Sequence, residues 1–481
     1  MVEKDNLMKK IFILILVLIP FFSEAQTCNC SENFKFLVER IKNNYVGYKD
    51  KIKTSNQRQF DFFTDSLQNL AMRSNTIDCR DIYLKWLAFF EDGHMGISTF
   101  TAGNASSNEI RTFFLESEKK PLNELSFDKY LLKNKANLDG IEGYWNYANA
   151  YKIGIVKDSS KKDEFIGFII KADSIYWMPQ QVKFRIKKEN GNYSVVYFGA
   201  IDHVKYTPSI IVNKDIIDFG NFGKWYKGKN IKNTPKAIAA LIPDMSPTFR
   251  ILDNETNLLV IPHFAIRYKN SVDSILAKNK TLLENSKHLI IDIRNNSGGL
   301  TGTFENIIPY IYTKPIYTYG DAILATADNI KDGYENDEPD LPESSKKEIM
   351  EVVKKLKKHV GELYHIYPAD TLKFDYVLKN PQRISILMNR KTASASELFI
   401  LKAEQSEKVT LFGENSAGAV DYVENVFVKM PCKYYSVFYP ALRSDRVDSR
   451  PLNNIGIVPN VVIPGNVKDW VEFVRVYKTR N

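Results

Sequence analysis

Arg383-Ile-Ser-Ile-Leu-Met-Asn-Arg-Lys-Thr-Ala-Ser-Ala-Ser-Glu397 is the stretch on which the reading of the whole chain turns. Ile384 to Met388 is β-branched and apolar, which predicts a buried strand; Thr392 to Ser396 are small; Leu398, Phe399, Leu401 and Ala403 carry a helical pattern. The expected corner places Ser394 at a helix N-terminus, where unpaired N–H groups and the helix dipole favour negative charge. Acyl transfer needs that arrangement around its nucleophile, because the oxyanion must be met by fixed donors. Ser394-Ala-Ser-Glu397 is also a capping box, with Ser394 serving the helix and Glu397 reaching back.

A second stretch bears on the choice. Leu289-Ile-Ile-Asp-Ile-Arg-Asn-Asn-Ser-Gly-Gly299 is an apolar strand running into a glycine pair, which lets the backbone turn and present an unobstructed N–H. One strand end offering an N–H and another offering a serine make half of a hydrolase site.

At these residues the sequence resembles the tail-specific (C-terminal-processing) serine peptidase family, which includes the tricorn core protease. The resemblance rests on Asp292 to Gly299, Thr392 to Glu397, Gly413-Glu-Asn-Ser-Ala-Gly418 and Gly456-Ile-Val-Pro-Asn460, in that order, over roughly 245–470. It implies a crotonase-like ββα superhelix, Ser394 as nucleophile, and an oxyanion hole of N–H groups from Ala395 and from Gly298 or Gly299. Many members pair the serine with a lysine just after the glycine that closes the Gly-Glu segment; that place is Ala419, which cannot take a proton. The tricorn-like branch uses an upstream histidine instead, and Phe89-Phe-Glu-Asp-Gly-His94 resembles the segment that carries it. A neutral imidazole is a suitable base near neutral pH. The branch's supporting glutamate falls near Asn453, which could orient an imidazole without stabilising its charged form as a carboxylate would.

Length and an apolar content of 44% support a large core and two or three domains. The net charge of +9 is spread among 66 basic and 57 acidic residues, and no basic block with interleaved aromatics suggests nucleic acid. Met8 to Ala25 has a short positive region, an apolar core and a small-residue exit, which predicts a signal peptide over 1–25 and a periplasmic or extracellular protein. That core is too short for a comfortable membrane span. Cys28 is a poor match for a lipoprotein anchor. The four cysteines favour pairing outside the cytosol, with Cys28 or Cys30 bonded to Cys79 as the expected link.

Residues 26–100 read as a helical cap ending in the His94 loop, with aromatic stripes such as Phe60, Phe63 and Leu67. Residues 101–245 read as an inserted antiparallel β-rich module, a meander or small barrel, in which Asn190-Gly-Asn192 marks a hairpin. Residues 246–481 form the α/β core, interrupted over 327–372 by a charged helical insertion expected as a solvated flap over the site. His359 and His365 lack the partners that a metal site needs, so no metal or organic cofactor is expected. The reading is thus an exported serine-type peptidase acting on polypeptides. An esterase, or an inactive binder on the same fold like the retinoid-binding repeats of the eye, are its alternatives.

Overall fold

The computed structural model describes residues 28–100, 105–147, 150–229, 246–335 and 343–477; the expected signal peptide lies outside them. The central sheet takes its strands in the order Thr248–Ile251, Thr256–Val260, His288–Asp292, Arg383–Met388, Val409–Gly413 and Val461–Val462. The first pair is antiparallel and every later pair is parallel. Parallel strands are covered on both faces, and here alternate side chains go to two separate clusters. Leu259, Ile291, Ile386 and Leu411 pack with Val272 and Phe399 from helices Lys269–Lys278 and Ala395–Ala403. Leu258, Ile290, Leu387 and Phe412 pack on the opposite face with Val474 of helix Trp470–Val476. This is a mixed α/β fold.

The N-terminal helices Cys30–Asn44, Gln57–Ala71 and Cys79–Leu87, with the residues that directly follow them, bury Phe34, Ile41, Tyr45, Phe60, Trp86 and Phe90 against a second sheet through Val426, Val437 and Tyr439. That sheet runs Gly96–Thr99, Tyr435–Ser444, Asp321–Leu324, Leu363–Tyr367, with Tyr422–Lys429 paired to the long strand. Arg40 fastens the helices to Asp328 (3.1 Å) and Asp332 (2.5 Å), and Asp50 receives Arg443 (2.7 Å). Two disulfides close the same region. Cys30 bonds Cys79, one of the two expected pairings, whereas Cys28 bonds the distant Cys432, a partner that local spacing does not reveal.

Residues Gly143 to Lys227 build a nine-stranded antiparallel sheet. Its path is open, with Lys205–Tyr206 and Ile211–Val212 at its two ends, so it does not close into a barrel, and the pairing of Gly143–Tyr147 with Lys224–Lys227 departs from a simple meander. The expected hairpin joins Val182–Glu189 to Asn192–Phe198, and Asn190 (φ +50°) and Gly191 (φ +82°) supply the left-handed pair that the turn requires. The module opens with helices, Ser107–Phe113 and Glu124–Lys133, the second laying Phe127 on Tyr144 and Phe168.

The insertion at 327–372 departs from the expected flap. Residues Leu363–Tyr367 pair with Asp321–Leu324 as a strand of the second sheet, and Leu356 of helix Glu343–Leu356 is buried with Ile323 and Leu442. Strand pairing and apolar burial make it part of the framework.

Candidate active site

The strand Arg383–Met388 delivers the chain to Ser394, which adopts φ +56°, ψ −123° immediately before helix Ala395–Ala403. A non-glycine residue there is strained and persists only when its surroundings hold it. Thr392 Oγ1 donates to the Ile293 carbonyl (3.1 Å) and Ala393 N–H to the Asn296 carbonyl (3.0 Å), which ties the turn to the glycine loop. Glu397, fully buried, fixes the other side. Its Oε2 accepts from the N–H groups of Ser394 (3.0 Å) and Ala419 (2.8 Å), and its Oε1 from Ser416 Oγ (2.5 Å) and Gly418 N–H (2.8 Å). Burial raises its pKa, and the four donors pull against that shift. Glu397 does reach back as the capping pattern suggests, and the Ser394 hydroxyl meets a different partner, His94 Nε2, at 3.2 Å.

His94 reaches that place on a loop between the turn Ala88–Phe90 and the strand Gly96–Thr99. Asp92 organises the loop: its carboxylate accepts from His94 N–H (2.9 Å) and from Tyr45 O–H (2.7 Å). Burial lowers the His94 pKa, while the Asp92 charge raises it. The imidazole is therefore neutral near neutral pH and able to accept a proton. Its Nδ1 is buried beside the Tyr422 backbone without a hydrogen bond of ordinary geometry among the described residues.

Asn453 corrects the sequence reading. Its Nδ2 donates to the Glu91 carbonyl (2.5 Å), joined by Asn454 Nδ2 (2.9 Å), so Asn453 holds the loop that bears His94 and does not touch the ring. The backbone N–H of Asn453 rests on Asp421 Oδ2 (3.0 Å), and Asp421 pairs with Arg446 (2.8 Å) in full burial. Asn453→Ala is expected to cost about 1 kcal/mol and, through a loosened His94, about tenfold in turnover. Urea unfolding and steady-state kinetics read the two effects. Ala419 borders the same loop, its Cβ 3.5 Å from where a Cβ on Gly93 would stand.

The glycine pair also separates into two roles. Gly298 N–H donates to Asn296 Oδ1 (2.9 Å), while its carbonyl accepts from Phe264 N–H (2.9 Å). In a trans peptide C=O and N–H point oppositely, so Gly299 N–H is directed away from Phe264, and it has no acceptor among the described residues. Ala395 N–H is likewise without one. Gly299 thus fits the donor role better than Gly298, whose place is to press against the serine. At φ +101°, a Cβ on Gly298 would lie 2.8 Å from Ser394 Cβ and 2.9 Å from Ala395 N. Gly298→Ala is expected to cost about 2–5 kcal/mol from strain and overpacking, read by chemical denaturation.

Glu397, Asp92, Tyr45 and Asn296 thus complete the site, and apart from the reach of Glu397 back to Ser394 their bonds within it are absent from the sequence reading. Asp92 two residues before His94 carries a local signal, an acceptor for its own loop. Tyr45 carries none, because its partner lies 47 residues on. Among the described residues no group of His, Cys, Asp and Glu could hold a metal ion, and no helix is long and apolar enough to cross a membrane.

Comparison with known proteins bears on this geometry. Residues 256–463 match the model of peptidase family S41. No curated protein matches the sequence. Among solved structures, mature CPAF is similar at 13% identity and a TM-score of 0.46, covering 91% of this chain and 92% of its own. The photosystem II D1 C-terminal processing protease is similar at 13% identity and a TM-score of 0.37, covering 91% and 94%. The tricorn protease is similar at 10% and 0.37, with 90% of this chain covered and 34% of that one. These low scores carry no argument of their own. Ser394, Gly298 and Gly299 all lie inside the stretch that matches the peptidase family S41 model, and that match supports a serine-type peptidase.

Proposed function

We propose that the chain hydrolyses peptide bonds through an acyl-enzyme on Ser394, with His94 as general base. The single observation that carries this is the 3.2 Å approach of His94 Nε2 to Ser394 Oγ, across 300 residues of sequence. Ser394 Oγ attacks the substrate carbonyl while Nε2 takes its proton. The developing oxyanion is met by the N–H groups of Ala395 and Gly299, and the imidazolium then protonates the leaving amine. Water repeats the cycle on the ester. Asp92 supplies the negative charge nearest the imidazolium, and Asn453 acts on it only through the loop. Ala419 at the lysine place and an imidazole at the serine favour the histidine-dependent, tricorn-like branch over the Ser-Lys dyad. The parallel core with its covering helices is read as a crotonase-like superhelix, and the N-terminal helices as a cap that brings His94 to it.

Export is part of the same proposal. It is supported by the composition of residues 8–25 and by two disulfides, which persist in oxidising compartments. With its sulfur bonded to Cys432, Cys28 has none left for a lipid anchor.

A fluorophosphonate probe tests the chemistry, since it reacts with an activated serine. Stoichiometric adduct on Ser394, located by peptide mass spectrometry, is the expected result. An unlabelled, folded protein would leave the inactive binder in place of the enzyme. Labelling with hydrolysis of esters but no peptide would leave the esterase.

A further inference from the structure

The helix that begins after Ser394 buries one side and leaves Leu398 and Leu401 only partly covered. Both line a cavity of about 230 Å³ whose opposite wall carries Tyr317 and Tyr319. That wall is fastened to the helix end: Tyr317 N–H donates to Gln405 Oε1, and Gln405 Nε2 to the Tyr317 carbonyl, each at 2.9 Å. Lys402 Nζ reaches Thr318 Oγ1 (3.1 Å) beside it. The cavity is therefore formed before any ligand arrives, and its aromatic wall is open, with Tyr317 46% and Tyr319 37% exposed and their rings 5.1 Å apart.

Two connections link this cavity to the elements that carry Ser394 and His94. Leu398 follows Ser394 by one helical turn, roughly 6 Å along the axis. Arg446, another lining residue, pairs with Asp421 (2.8 Å). Asp421 receives the Asn453 N–H (3.0 Å), and Asn453 holds the Glu91 carbonyl ahead of His94 (2.5 Å). One wall thus hangs from the element that bears the nucleophile, and Arg446, elsewhere in the lining, is linked to the loop that bears the base.

We propose that this cavity is a substrate subsite that takes an aromatic side chain of the polypeptide, with Leu398, Leu401, Tyr317 and Tyr319 as the apolar part of a lining that also carries charged side chains. The proposal rests on the reading of Ser394 as the nucleophile of a peptidase. The volume exceeds the roughly 150 Å³ that accepts a benzene ring in a protein interior. Leucine faces stack on a ring, and tyrosine edges meet it in the offset or edge-to-face manner that aromatic pairs favour. An acidic side chain directed at Lys402 is the competing occupant, and it enters the test as such.

The test uses binding, so that it does not depend on turnover. Fluorescein-labelled alanine hexapeptides, each with one Phe or one Glu walked along its length, are titrated into the Ser394→Ala protein and followed by anisotropy. One Phe position is expected to bind about tenfold tighter than alanine, as filling an apolar pocket does. Adding Leu401→Trp, which fills the cavity, should bring that ratio to within about twofold. Tyr317→Ala, at an exposed position that folding tolerates, should lower it at least about threefold. Equal affinity for Phe and Ala peptides at every position overturns the proposal. So does a stronger effect of Glu, or a Phe preference unchanged in both variants. Fluorophosphonate labelling of the wild-type protein reads the peptidase assignment separately. Labelling without a Phe preference sinks the subsite alone, and a Phe preference without labelling sinks the peptidase assignment, leaving an aromatic-peptide binder.

Discussion

Ser394→Ala is expected to lower peptide hydrolysis about 10,000-fold or more, with stability changed by no more than about 1 kcal/mol. In the proposed mechanism this hydroxyl is the attacking group, and its removal leaves binding and the oxyanion donors without a nucleophile. Folding is expected to survive because the turn is held by groups other than Ser394 Oγ. Glu397 takes the Ser394 backbone N–H, Thr392 takes the Ile293 carbonyl, and the Asn296 carbonyl takes Ala393 N–H. The β-carbon stays at φ +56° in either residue, so the strain of that conformation is unchanged. Active-site-titrated kinetics and a thermal melt on one preparation measure both halves.

His94→Ala is expected to cost about 1,000- to 10,000-fold in kcat/KM. The loss should be large because no second acceptor stands by. His94 Nε2 is the only side-chain atom bonded to Ser394 Oγ among the described residues. Ala419 occupies the place where a lysine serves other members, and the Glu397 carboxylate is saturated by four donors. If hydrolysis survived His94→Ala within tenfold and fell with Lys402→Met instead, the base would be misassigned. Lys402, half-buried and lowered in pKa by that burial, is bonded to Thr318.

The Ser394 corner and the glycine loop are legible because their geometry is set locally. A buried apolar strand, a run of small residues and a helix pattern predict the Ser394 corner, and adjacent glycines predict the turn at Gly298. Most partners are not legible, because they are set by packing between segments far apart in sequence. His94 itself came from a family likeness; its approach to Ser394 depends on the N-terminal helices seating Tyr45, Phe60 and Phe90 against the second sheet. Asn453 was placed in the right neighbourhood and given the wrong contact, since sequence order does not distinguish a side chain bonded to Glu91 from one bonded to a ring. Glu397 reads as a local cap, and three of its four hydrogen bonds come from Ser416, Gly418 and Ala419 on another strand's exit loop. The 327–372 segment is polar enough to suggest a solvated flap, yet Leu356 and Ile366 suffice to anchor it in the second sheet. Cys432, 404 residues from Cys28, could not be paired by spacing.

Dependence of the serine on the imidazole is measured most directly by the rate of fluorophosphonate acylation across pH 4–9, for wild type and His94→Ala. Only the neutral imidazole accepts a proton, and burial holds its pKa below the ordinary 6.5. The rate should therefore be full above that value and fall as pH drops through a midpoint below 6.5. His94→Ala should remove both the rate and the titration. A wild-type rate that is flat over this range, or an acylation rate unchanged by His94→Ala, would contradict the pairing of His94 with Ser394.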